Sequence, residues 1–100
     1  MIRVTKTFVK SNPATILWFD TNAGRNFSEY RISTYGSKLS NIASSTSNDG
    51  LTWSYSVTWS SRSAYDLMMA DSSIQQAMSA RKAYHAGNNV SESESQIVNL

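Results

Sequence analysis

Residues 51–60, LTWSYSVTWS, alternate without exception between large apolar and small hydroxylated side chains. Successive strand residues point to opposite faces, so Leu51, Trp53, Tyr55, Val57 and Trp59 share one face and Thr52, Ser54, Ser56, Thr58 and Ser60 the other. This pattern demands a strand with one buried face. Its aromatic and β-branched residues suit a pleated surface, and Asn48-Asp49-Gly50 just before it tolerates the positive φ of a tight turn. A partner strand is therefore predicted to end near Ser47.

The remaining elements follow from period and punctuation. Ile2, Val4 and Phe8 alternate with Arg3, Thr5 and Thr7, predicting a first strand over residues 2–9. Lys6 interrupts its apolar side, which suggests an edge position with the ammonium in water. After Ser11-Asn12-Pro13, residues 15–19 (TILWF) read as a short extended run, apolar on both sides. Phe27, Tyr30, Thr34 and Tyr35 recur at helical spacing, with Asn22 or Asn26 as cap and Gly36 as stop, predicting a helix over residues 25–35. Leu39, Ile42 and Ala43 begin the hairpin's weaker first arm. From Ser61 to Gly87 the pattern is helical, with a restart at Asp71-Ser72-Ser73 and a stop at Gly87-Asn88-Asn89. Ile74, Ala77, Met78, Arg81 and Tyr84 share one side of that helix. Residues 91–100 alternate Ser with Glu before Ile97 and Val98, and because Glu92 and Glu94 do not suit a buried face the segment gives an edge strand or a tail.

The succession is β-α-β-β-α-β, that of an α+β ferredoxin-like sandwich: a four-stranded antiparallel sheet with its helices on one face, spanning residues 1–100 as one domain. Trp53, Tyr55, Val57 and Trp59 would then meet Phe27, Tyr30, Met68, Met78 and Tyr84. Arg3, Thr5, Thr7, Ser54, Ser56 and Thr58 line the opposite, uncovered face, which suits a second copy of the chain or another protein.

The run from Trp53 through Trp59-Ser60-Ser61-Arg62-Ser63-Ala64-Tyr65 to Asp71-Ser72-Ser73 resembles the strand, Trp-Ser and helix passage of dimeric α+β barrel proteins of the antibiotic-biosynthesis-monooxygenase type. The resemblance covers roughly the second half of the chain, and the fold hosts unrelated activities. Haem-degrading members use an Asn on the first strand, a Trp near the end of the third and a helical His. Trp59 matches the second, but Thr5 and Thr7 stand where the Asn would be and Met68 and Met69 where the His would be. Haem is not expected. The segments IRVTKTFVKSN, DGLTWSYSVTWSS and residues 70–90 also resemble short proteins of tailed phages of marine cyanobacteria, which implies a virion or assembly component, placed in the virion or the host cytoplasm.

Chemistry-bearing residues are sparse. The single His85, near a helix end, reads as solvated or capping, with no carboxylate at helical spacing to orient it. Asp71 reads as a helix cap. Glu92 and Glu94 share a strand side and, with Asp49, fall short of the oxygen count of a hard-cation cage, so no metal is expected. Absence of cysteine excludes disulfides, thiolate zinc sites and cysteine nucleophiles. Nine Lys and Arg against seven Asp and Glu are scattered, and the aromatic strand face carries no interleaved cation, so nucleic acid is not expected as a partner. No membrane span and no export signal are expected. Two functions follow from these exclusions: a non-enzymatic, self-associating structural or interaction subunit without cofactor, or a small barrel-type monooxygenase or isomerase acting on a hydrophobic ligand. The second needs an apolar cavity with a few convergent polar groups. The hydroxylated face does not offer one.

Overall fold

The computed structural model describes residues 1–100, and in it the alternating stretch forms a strand, Thr52–Trp59, in the middle of an antiparallel sheet. Numbered along the chain, the elements are β1 (Ile2–Lys10), α1 (Asn22–Tyr35), β2 (Leu39–Thr46), β3 (Thr52–Trp59), α2 (Arg62–Met69), α3 (Ser72–Gly87), β4 (Val90–Glu92) and β5 (Gln96–Asn99). The sheet order is β2-β3-β1, and β4 and β5 pair in turn with the far side of β1 as one interrupted edge strand. With its second helix likewise divided at Asp71, the chain has the ferredoxin-like α+β architecture predicted from the order of its elements.

Register decides which side chains reach the core. Ile2 lies opposite Trp59, Val4 opposite Val57, Lys6 opposite Tyr55 and Phe8 opposite Trp53, all on the helix-covered side. Against them pack Phe27 and Tyr35 of α1, Ala64, Tyr65 and Met68 of α2, and Ile74 of α3. Burying each large apolar side chain contributes roughly 1.5–3 kcal/mol, so this stripe carries much of the stability. Tyr30, expected in the same layer, is instead exposed and donates its hydroxyl to Asp71. The alternate pairs, Arg3 with Thr58, Thr5 with Ser56 and Thr7 with Ser54, occupy the other side.

Local chemistry sets the ends of the elements. The Asp49 carboxylate accepts from the Ser47 hydroxyl and the Leu51 N–H, and Gly50 takes φ +74°, closing the hairpin. Ser61 caps α2 and Asp71 caps α3, each accepting a backbone N–H of the first turn. Thr21, rather than Asn22 or Asn26, caps α1, which therefore begins earlier than predicted.

The TILWF run is not a strand. Both sides of β1, the strand it follows, are already paired, so it cannot add beside that strand. Leu17 and Trp18 plug the core instead, and the segment ends in a single 3-10 turn over Trp18–Asp20. No helix is long and apolar enough to cross a membrane.

Candidate functional site

On the helix-covered side the central strands carry one pair of short side chains. Val4 and Val57 pair directly, and Met68 and Met69 at the end of α2 and Gln75 at the start of α3 line the space beside them. Trp59 stands at one end of this floor and the Lys6–Tyr55 pair at the other. A cleft of about 290 Å³ results, walled by Tyr65 and Met68 of α2, Met78 and Arg81 of α3, and Arg31 of α1. Trp59 is buried at its base, edge-on to Tyr65 and Tyr35.

A bulge in the edge strand completes the opening. Glu92 pairs with Phe8 and Gln96 with Thr5, so Ser93, Glu94 and Ser95 face only Lys6 and Thr7. The extra residue breaks the ladder beside Lys6 and places Glu94 and Ser95 on the cleft lining.

Lys6 is therefore not an edge residue. It lies on a central strand, points into the helix-covered side, and its side chain is 13% exposed. Burial and the nearby Arg81 guanidinium lower its pKa, against the opposing pull of Glu92, whose Oε1 lies 3.8 Å from Nζ. Arg31 lies over the rings of Phe27 and Tyr55, at 5.6 and 5.7 Å, and its Nε is buried without a hydrogen-bond partner. The cleft thus combines an apolar floor with cationic walls: Lys6, Arg31, Arg81 and Lys82 line it, with Glu94 as the carboxylate among them.

Beneath the cleft lies a buried ionic cluster. Arg81, 2% exposed, donates Nε and Nη2 to the two carboxylate oxygens of Glu92, at 3.2 and 3.1 Å. His85 is fully buried; its Nδ1 lies 2.7 Å from Glu92 Oε2, and its Nε2 accepts the Trp18 N–H at 3.1 Å. Since Nε2 is an acceptor, Nδ1 carries the proton and donates it to Glu92. Burial pushes the Glu92 carboxyl up, but hydrogen bonds from His85 and Arg81, with the charge of Arg81, outweigh it and hold the pKa below the usual glutamate value.

Two expectations are corrected here. His85 is neither solvated nor capping, because the carboxylate that orients it comes from β4 rather than from its own helix. Glu92 faces the interior, because its register opposite Phe8 puts it there and Arg81 neutralises it. Arg81 and His85 stand one turn apart on the stripe that carries Ile74, and that spacing was the available signal. The bulge also had one. Val90 and Ile97 are an odd number of residues apart, yet both are apolar and both pack inward.

Of the other candidates, Arg3, Thr5, Thr7, Ser54, Ser56 and Thr58 do come together on the sheet face away from the helices. Arg3 donates to the Thr58 hydroxyl at 2.7 Å, and the hydroxyls of Thr7 and Ser54 share a hydrogen bond at 2.9 Å. Asp49 is spent on its own turn and joins neither Glu92 nor Glu94, and no group of three His, Asp or Glu side chains is placed to hold a metal ion. Met68 lies buried on the cleft wall, and the helical histidine, one helix further on, has both ring nitrogens engaged.

No family model and no curated protein matches the chain. Among solved structures it is similar to a provisionally assigned antibiotic biosynthesis monooxygenase from Deinococcus radiodurans, with a TM-score of 0.58 and 11% identity, over 100% of this chain and 92% of that one. At that identity the likeness is one of fold.

Proposed function

We propose that this chain binds a small, largely apolar molecule in the cleft between sheet and helices, and acts on it as a small oxygenase or isomerase does. The observation that carries this is the cleft itself: about 290 Å³, floored by Val4, Val57 and Trp59, with charged side chains converging at its walls. Apolar surface with convergent polar groups is how small-molecule sites are built. The absence of such a site on the hydroxylated face had favoured the structural subunit; the cleft on the opposite side reverses the preference. The fold neighbour's assignment as a monooxygenase supports the same choice.

The test is a fluorescence titration with the neutral probe N-phenyl-1-naphthylamine. Saturable binding of one probe per chain is expected, and Val57→Phe, which fills the floor, should weaken it at least about tenfold while the protein stays folded. Failure to saturate, or indifference to Val57→Phe, would remove the cleft as the site.

A second reading, compatible with the first, is self-association through the uncovered sheet face. It is supported by the half-buried row Arg3, Thr5, Thr7, Ser54 and Ser56 and by Val98, 57% exposed beside Arg3, whereas Thr58 in the same row is itself buried and accepts from Arg3. The partner would be a second copy of this chain.

A further inference from the structure

We propose that the ligand of this cleft is an organic carboxylate, whose apolar body rests on Val4, Val57 and Trp59 and whose carboxylate is received by Arg31 together with Lys6 and Lys82. The proposal rests on the reading of the cleft as a small-molecule site and adds the chemical class of what enters it.

Two observations carry it. The first is the state of Arg31. Its Nε is the one buried side-chain nitrogen or oxygen left without a hydrogen-bond partner, and leaving such a donor unpaired is costly. The guanidinium is nevertheless held in place, flanked by the rings of Phe27 and Tyr55. A planar fork of donors, fixed and unspent, matches a carboxylate's two oxygens in geometry and charge.

The second is the balance of charge. Arg81 is consumed by Glu92, which leaves Lys6, Arg31 and Lys82 along the cleft against Glu94. A neutral ligand would strip water from those cations and return nothing. An anion restores the balance in the same step. The aromatic and aliphatic floor selects against a wholly polar anion such as inorganic phosphate.

Calorimetric titration of the full chain with 2-naphthoate and its neutral isostere 2-naphthamide tests this. The acid is expected to bind about tenfold or more tightly than the amide, with an advantage that shrinks as salt is raised. Arg31→Gln should remove most of the advantage by weakening the acid alone, and Arg31→Lys should recover part of it. Should Arg31→Gln fail to fold, Lys82→Gln on the exposed rim gives a smaller loss in the same direction. Equal affinity for acid and amide, or a preference indifferent to these substitutions, overturns the carboxylate assignment and leaves the cleft reading intact. Absence of saturable binding by either ligand overturns both.

Discussion

His85 and Glu92 meet in the interior at 2.7 Å, Nδ1 to Oε2, although one belongs to α3 and the other to the edge strand β4. The second ring nitrogen accepts the Trp18 N–H, and Arg81 grips both oxygens of the same carboxylate. Helix, edge strand and the segment preceding α1 are thereby joined at one point. With a proton committed on one nitrogen and a lone pair on the other, His85 has nothing left for a substrate. It is a structural pin.

Removing the charge of Glu92 should expose the cost of that arrangement. Glu92→Gln leaves the Arg81 guanidinium, 2% exposed, without a counter-charge, and a loss of about 3–5 kcal/mol is expected from urea unfolding. Replacing both partners with apolar residues, Arg81→Met with Glu92→Leu, should cost less than the single change. A single change costing under about 1 kcal/mol would show that water already reaches the cluster.

The pH profile of stability follows from the carboxyls of Glu92 and Asp71, both held below their ordinary values. For Asp71 the main cause is the hydroxyl of Tyr35, then that of Tyr30, which donate to it at 2.6 and 2.7 Å. A depressed pKa contributes stability above the unfolded values of 4.5 and 3.8, and that contribution is lost as pH falls through the folded values. At the alkaline end the sign reverses for Tyr35, whose hydrogen bond to Asp71 raises its pKa to about 12. Its contribution is complete below the unfolded value of 10.0 and is lost as pH rises toward 12. Phenolate absorbance should show a late-titrating tyrosine, which Asp71→Asn brings back toward the ordinary range.

Gly24 admits no side chain. A Cβ there would stand 2.0 Å from the Trp18 carbonyl oxygen and 2.6 Å from the Phe19 Cα, both backbone atoms of the turn that plugs the core. Gly24→Ala should therefore cost about 3 kcal/mol or more, despite the better helix propensity of alanine. A thermal midpoint equal to or above wild type would mean that the 3-10 turn can shift freely.

The uncovered sheet face has its own test. Ser56→Glu sets a charge at the centre of that face, opposite Thr5, where a second copy would have to bury it. Sedimentation velocity should show an assembly for the wild type and a single chain for the variant. A wild type that sediments as one chain at every concentration would sink self-association through this surface.

Much of the architecture was legible because it is local. The alternation in residues 51–60 specified a strand and its buried face, Asn48-Asp49-Gly50 the turn, and Ser61 and Asp71 the starts of two helices. Each of these depends on neighbours within a turn or two of chain. Lys6, His85 and Glu92 were misread for the opposite reason. Each is polar at a position whose partner lies far along the chain, and taken alone such a residue belongs in water.

The sequence by itself determined which faces are apolar and in what order the elements follow, since periodicity and capping act over a few residues. Tertiary structure decided where space is left over and which charges share it. A cleft is the difference between the volumes of a strand pair and of helices packed from elsewhere in the chain, and a buried ion is tolerated only where a distant partner arrives to neutralise it. The floor of Val4 and Val57, the unpaired Nε of Arg31 and the grip of Arg81 and His85 on Glu92 are therefore properties of the assembled sheet and helices, not of any stretch of chain.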